Sequence, residues 1–134
     1  MLKDKVVVIT GGAGRIGSEF AKSVIENNGI AIISDINKEF AIKTIERISN
    51  ELNGKVEDIL SKILFFNLDI SSKNSIENLI KTLNKKFGRI DALVNNAYPK
   101  SKNYGKKFFW YISGSIKCLI ILFYFSWYLR IFLI

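Results

Sequence analysis

A chain of 134 residues has room for one domain with a sizeable core, but not for two ordinary domains. With no His and a single Cys, Cys118, it can form no internal disulfide, and a zinc site or a Ser-His-Asp triad lacks its usual ligand and base. The formal charge of +8 comes mostly from Lys and Arg scattered among acids through the first 107 residues, a pattern that reads as a basic soluble surface rather than a nucleic-acid interface.

Residues 1–10 run from Lys3-Asp4-Lys5 into a short apolar stretch with no small-residue cleavage site behind it, so a cytoplasmic location is expected. The first predicted strand is KVVVIT over 5–10, β-branched and bounded by glycine. A helix is expected from Arg15 to Asn28, with Ile16, Phe20, Ala21, Val24 and Ile25 at helical spacing and Asn27-Asn28-Gly29 as its stop. IAIISD over 30–35 reads as a second strand ending in an acid. Asn37 then caps a helix to about Asn50, whose apolar stripe is Phe40, Ala41, Ile45 and Ile48. KILFFNLD over 62–69 is the third strand. Ser71-Ser72 caps a helix carrying Ile76, Leu79, Ile80, Leu83 and Phe87 on one face and closed by Gly88. IDALVNN over 90–96 is the fourth strand.

The order is βαβαβαβ with strands apolar on both faces. That pattern calls for a parallel sheet with helices on both sides, a Rossmann-like doubly wound α/β fold cut off after its fourth strand. From Phe108 the composition changes. Residues 108–134 contain both Trp residues, no acid, and only Lys117 and Arg130 as charges. The expected organisation is therefore a partial domain over 1–107 followed by an apolar aromatic tail over 108–134.

Glycines at 11, 12, 14 and 17 separate the first strand from the first helix. A tight reversal there favours residues free to take positive φ. A pyrophosphate reaches a helix N-terminus only where no Cβ stands in the way. Open amides and the helix dipole then hold the anion, the dipole contributing about 0.3–1 kcal/mol. Gly17 is expected to let the helix pack close to the sheet. Gly12-x-Gly14-x-x-Gly17 fits the dinucleotide fingerprint, as does Gly11-x-x-Gly14-x-x-Gly17; alone, either match also suits a turn that binds nothing. Here the match lies in the first βα turn, and Asp35 follows 18 residues after Gly17 at the end of the second strand. That context points to a dinucleotide. Asp35 is placed to accept hydrogen bonds from the adenosine ribose, and its charge would oppose a 2′-phosphate, so NAD is expected over NADP. Arg15 beside the phosphates keeps NADP open. The competing role for Asp35 is that of a capping acid ahead of Asn37.

The residues TGGAGRIG over 10–17, Asp35, NLDI over 67–70 and LVNNA over 93–97 together resemble the short-chain dehydrogenases/reductases, in that family's order and spacing across most of residues 3–107. The resemblance implies a cofactor seat on Gly11, Gly12, Gly14, Arg15, Ile16 and Gly17. It also implies an adenine contact at Asp69 and Ile70, and a sheet-steadying motif near the cofactor at Asn95, Asn96 and Ala97. Arg15 and Tyr98 stand where the common family pattern has glycine. The run 95–108 is similar to a subgroup associated with bacterial surface-sugar and flagellin-glycan biosynthesis. Members are usually homo-oligomers, an assembly not expected to form normally here.

The resemblance further implies a catalytic Tyr with a Lys four residues on, a Ser and an Asn, all from segments well beyond the fourth strand. Tyr98 and Lys102 have the literal spacing but follow the fourth strand directly, with no preceding strand to bring a Ser, so they are not read as the catalytic pair. Tyr111 and Lys117 are six apart, off the helical face such a pair requires. No catalytic residue and no metal ligand is assigned, and the chain is expected to be an inactive, truncated member. Three readings of the tail follow. An out-of-frame translation would explain why the acids vanish where the resemblance stops. A membrane anchor would have to accept Lys117 or Arg130 within its span. A core element would cover the exposed edge of the fourth strand.

Overall fold

The structure, a computed structural model, describes residues 1–52 and 54–98. Lys102 and the 108–134 tail lie outside the described residues. Within them the chain builds β1 (Val6–Thr10), α1 (Arg15–Glu26), β2 (Ile30–Asp35), α2 (Lys38–Glu51), α3 (Val56–Lys62), β3 (Ile63–Asn67), α4 (Lys73–Phe87) and β4 (Ala92–Asn95).

The four strands form one parallel sheet in the order β3-β2-β1-β4. Val8 of β1 lies beside Ile32 of β2 and Leu93 of β4, and Ile32 in turn lies beside Leu64 of β3. All five residues of β1 are buried, as a central strand of β-branched residues requires. The side-chain alternation of the strands divides the core in two. Val7, Ile9, Ala31, Ile33 and Ile63 pack with Ala21, Val24 and Ile25 of α1, Ala41 and Ile48 of α2, and Ile59 of α3. Val6, Val8 and Ile32 face the other way and pack with Ile76, Leu79, Ile80 and Leu83 of α4. Helices cover both faces, which makes the sheet doubly wound, and each fully buried Ile or Leu contributes about 1.5–3 kcal/mol.

The caps form where local chemistry demands them. Asn37 Oδ1 accepts from the Phe40 amide at 2.9 Å, and Ser72 Oγ accepts from the Ser75 amide at 3.3 Å. At the end of α1, Asn28 takes φ +63, its amide donates to Ile25 O and the Gly29 amide donates to Val24 O, both at 2.9 Å. These are the two bonds of a Schellman stop, with Asn rather than Gly in the left-handed position. Gly88 ends α4 at φ +70, with open space where a Cβ would stand, so backbone conformation alone selects glycine there.

Three sequence expectations change. α3 was not anticipated: it has seven residues and one buried apolar side chain, Ile59, too few to make a periodic stripe, and it runs straight into β3. Ile16 and Phe20 are exposed at 66% and 44%, because the buried stripe of α1 runs instead through Gly17, Ser18, Ala21, Val24 and Ile25. Phe40 is likewise exposed, at 51%, while Ala41 and Ile48 carry the contact of α2 with the sheet. Among the described residues no helix is long and apolar enough to cross a membrane.

Candidate functional site

The turns that follow β1, β2, β3 and β4 all emerge at the carboxyl edge of the parallel sheet. The strand order reverses between β1 and β4, because β2 and β3 extend the sheet from one side of β1 and β4 from the other. Crevices of this kind are where open α/β sheets take their ligands.

The glycine turn is fastened on every side except one. The Gly12 amide donates to Ser34 O at 3.4 Å, and the Gly14 amide donates to Gly11 O at 3.1 Å. The Ala13 amide donates to Asp35 Oδ2 at 3.3 Å, and the Ala13 carbonyl accepts from Thr44 Oγ1 at 3.0 Å. The Gly14 carbonyl accepts from the Ser18 amide at 2.9 Å and so starts α1. Among the described residues, the amides of Arg15, Ile16 and Gly17 have no acceptor. α1 also carries no side-chain cap and no acid in its first turn, whereas the two other long helices are capped by Asn37 and Ser72. Open donors and the positive end of a helix dipole together make the kind of place that suits an anion.

The four glycines have different causes. Gly11 takes φ +61, and a Cβ there would lie 2.9 Å from Ala97 Cα. At Gly12 a Cβ would meet Ile9 O at 2.9 Å and Ile33 Cα at 3.1 Å, so this glycine lets the turn lie on the sheet. At Gly17 a Cβ would come within 2.4 Å of Gly11 O and 2.9 Å of Asn96 Nδ2. Gly17 was expected to bring the helix against the sheet; it brings the first helical turn against the loop instead. Gly14 differs from all three. Its φ of −69 suits any residue, and a Cβ would touch only Gly11 O, at 3.3 Å. A Cβ at 14 would ask Gly11 O to give by a few tenths of an ångström, a milder demand than at the other three glycines.

β4 completes the seat. Asn96 Nδ2 donates to Thr10 O and Gly11 O, each at 3.1 Å, and the Asn96 and Ala97 amides both donate to Thr10 Oγ1 at 3.0 Å. Thr10 Oγ1 lies 3.3 Å from Asn95 Oδ1. The motif LVNNA thus fastens the end of β4 to the glycine turn. Sequence reasoning quoted Thr10 as part of a motif but did not single it out, and it missed Thr44. Thr10 is fully buried, and its hydroxyl is the hub of this joint.

Asp35 is not turned into solvent. Its Oδ2 holds the Ala13 amide and its Oδ1 accepts from the Asn37 amide at 3.1 Å, which sets the carboxylate between the glycine turn and the start of α2. A carboxylate has about four lone-pair sites, which leaves two for a ligand. Asp69 and Ile70 lie beyond β3 and are organised with α4. Asp69 Oδ1 accepts from the Ser71 amide at 2.8 Å and the Ser71 hydroxyl at 2.6 Å, its amide donates to Ser75 Oγ at 3.0 Å, and Ile70 packs on the α4 core. Arg15, with Lys43 and Arg47, lines a basic groove between α1 and α2. Arg47 is committed there, donating to Ser18 Oγ at 2.7 Å and to Glu51 at 2.9 Å. Tyr98 is the sole tyrosine among the described residues.

A family model described as short chain dehydrogenase matches residues 5–104. Post-translational flagellin modification protein A of Campylobacter coli is 35% identical over 106 residues, covering 79% of this chain and 39% of that protein. The chain therefore spans well under half the length of that relative. Menthone neomenthol reductase from Mentha piperita superposes with a TM-score of 0.66 at 27% identity, covering 72% of this chain and 32% of its own. The C-domain of a bacterial malonyl-CoA reductase, solved with NADP, superposes with a TM-score of 0.63 at 28% identity, over 73% of this chain and 15% of that one.

Proposed function

The chain belongs to the short chain dehydrogenase family, and from that premise we propose that it binds the adenosine–pyrophosphate half of NAD. The observation that carries this reading is the set of open amides at Arg15, Ile16 and Gly17 beside Gly14, where a Cβ would ask least of the turn. These donors suit a diphosphate, and Gly11 and Gly12 let the turn lie low enough for one to approach. Asp35 stands one strand away with lone pairs to spare for ribose hydroxyls, and its charge opposes a 2′-phosphate, which favours NAD over NADP. Arg15 and Lys43 in the neighbouring groove are the groups NADP would use instead. Asp69 and Ile70 are assigned to the adenine edge, and Asn95, Asn96 and Ala97 to the floor between β1 and β4.

The bound nicotinamide would supply hydride transfer to or from a hydroxyl or carbonyl group. A sugar nucleotide is the substrate class proposed for the whole enzyme, whose relatives include a protein named for flagellin modification. This chain's own share is binding and orientation, with no Ser-Tyr-Lys set assigned to it. Its location is proposed to be cytoplasmic, with tethering through 108–134 as the alternative that membrane fractionation would reveal.

Calorimetry of the purified chain with NAD, NADP and ADP-ribose tests the binding. Micromolar affinity for NAD and ADP-ribose, lost in Gly14→Val and weakened in Asp35→Ala, is the expected result; a folded chain that binds none of them removes the reading. Assays with NAD and a panel of alcohols and sugar nucleotides test the non-catalytic assignment. Turnover abolished by Tyr98→Phe would overturn it.

A further inference from the structure

Ala13 is the residue of the turn held from both sides, by Asp35 on its amide and by Thr44 on its carbonyl. Ala13 is 2% exposed and Thr44 5% exposed, both at the bottom of the groove between α1 and α2. We propose that Thr44 of α2 is a positioning residue for the dinucleotide seat, acting through the Ala13–Gly14 peptide and not by touching the ligand.

One peptide plane carries the Ala13 carbonyl and the Gly14 amide. Thr44 holds its oxygen at 3.0 Å, and Gly11 O accepts from its amide at 3.1 Å. The next carbonyl, Gly14 O, takes the first bond of α1, from the Ser18 amide. The orientation of that plane therefore sets where the Arg15, Ile16 and Gly17 amides aim. On one side Gly14 has no side chain to resist rotation, while on the other the Ala13 methyl group is set in the core, so the carbonyl bond and that methyl together fix the plane. Without the hydroxyl a buried carbonyl is left unpaired, and the plane can relieve it by turning. Turning would strain the Ala13 amide off Asp35 as well, because both bonds meet at one residue. α2 thereby controls the seat from 31 residues away in sequence.

The proposal rests on the dinucleotide reading for its ligand, but the clip itself is readable without one. Thr44→Val removes the hydroxyl at nearly constant volume, Thr44→Ser keeps it, and Ile48→Val weakens the same helix one turn on while leaving every hydrogen bond to the turn in place. Binding of ADP-ribose to the full chain is measured by calorimetry, alongside the urea midpoint. Thr44→Val is expected to weaken binding about tenfold, the worth of one buried hydrogen bond. Thr44→Ser is expected to stay within about twofold, and so is Ile48→Val at a comparable loss of midpoint. Wild-type affinity in Thr44→Val, or an equal loss in Ile48→Val, overturns the proposal. Amide exchange by NMR on the unliganded chain separates this failure from that of the functional reading. In Thr44→Val the Ala13 and Gly14 amides are expected to exchange about tenfold faster while Ala21 keeps its protection. Unchanged Ala13 and Gly14 exchange overturns the clip whether or not ADP-ribose binds.

Discussion

The side-chain amide of Asn96 donates to the carbonyl of Gly11 at 3.1 Å, joining the end of β4 to the turn after β1 across 85 residues of sequence. The same nitrogen reaches Thr10 O at 3.1 Å. Asn96→Ala deletes both bonds and opens a space beside Gly17. The expected loss is about 1–3 kcal/mol, read as a lower urea midpoint. An unchanged midpoint would show that the joint contributes nothing.

Gly14 and Gly17 should separate stability from binding. Gly17→Ala forces a Cβ to within 2.4 Å of Gly11 O, so the turn must shift; a lower midpoint and lost ADP-ribose binding are both expected. Gly14→Ala meets only a 3.3 Å contact and is expected to change stability by less than about 1 kcal/mol. Its cost should fall on binding, where the new methyl group stands before the open amides. Equal affinity in Gly14→Ala and wild type would remove the anion from that place.

Asp35 bears on both cofactors, in opposite senses. Asp35→Ala removes an acceptor for ribose and a negative charge facing any 2′-phosphate. NAD affinity is expected to fall about tenfold while NADP affinity falls less or rises, so the ratio of the two constants is the readout. A ratio that does not move would mean the carboxylate serves only Ala13 and Asn37.

Ser34 offers a contrasting result. Among the described residues its buried hydroxyl has no hydrogen-bond partner, although its carbonyl accepts from Gly12. Ser34→Ala removes that unpaired group and is expected to raise the urea midpoint by about 1 kcal/mol of stability. A destabilised variant would reveal a partner for the hydroxyl.

At the opposite edge of the sheet, Asp91 binds Arg89 and Lys5 and accepts from the Val6 amide at 2.8 Å. The Arg89 guanidinium leads in holding its carboxyl at about 2, below the ordinary 3.8. A depressed folded value means that the stabilisation is fully present above the ordinary value and lost as pH falls through the folded one. The carboxylate side chain is 18% exposed but its backbone is open to solvent, so screening reduces the worth to about 1 kcal/mol. Wild type should exceed Asp91→Asn by that amount at pH 7, and the gap should close between about pH 4 and 2. A gap independent of pH would exclude the ion pair as its source.

What the sequence determined without further help was local. The stop at Asn27-Asn28-Gly29, the caps at Asn37 and Ser72, the strand runs and the glycine-rich turn each depend on neighbours within a few residues, so their pattern is visible along the chain. The parallel four-strand sheet followed from that alternation. Tertiary structure decided the rest. It turned Ile16, Phe20 and Phe40 toward solvent, although their spacing suited a buried stripe. It added α3, which is held by the single apolar side chain of Ile59. It also gave Gly17 its reason in Gly11 O and Asn96, and made Thr10 and Thr44 the residues that shape the seat. A sequence window names the hydroxyls but not their partners. Which of them meets a buried carbonyl is settled only when strands and helices distant in the chain are packed together and water is excluded between them.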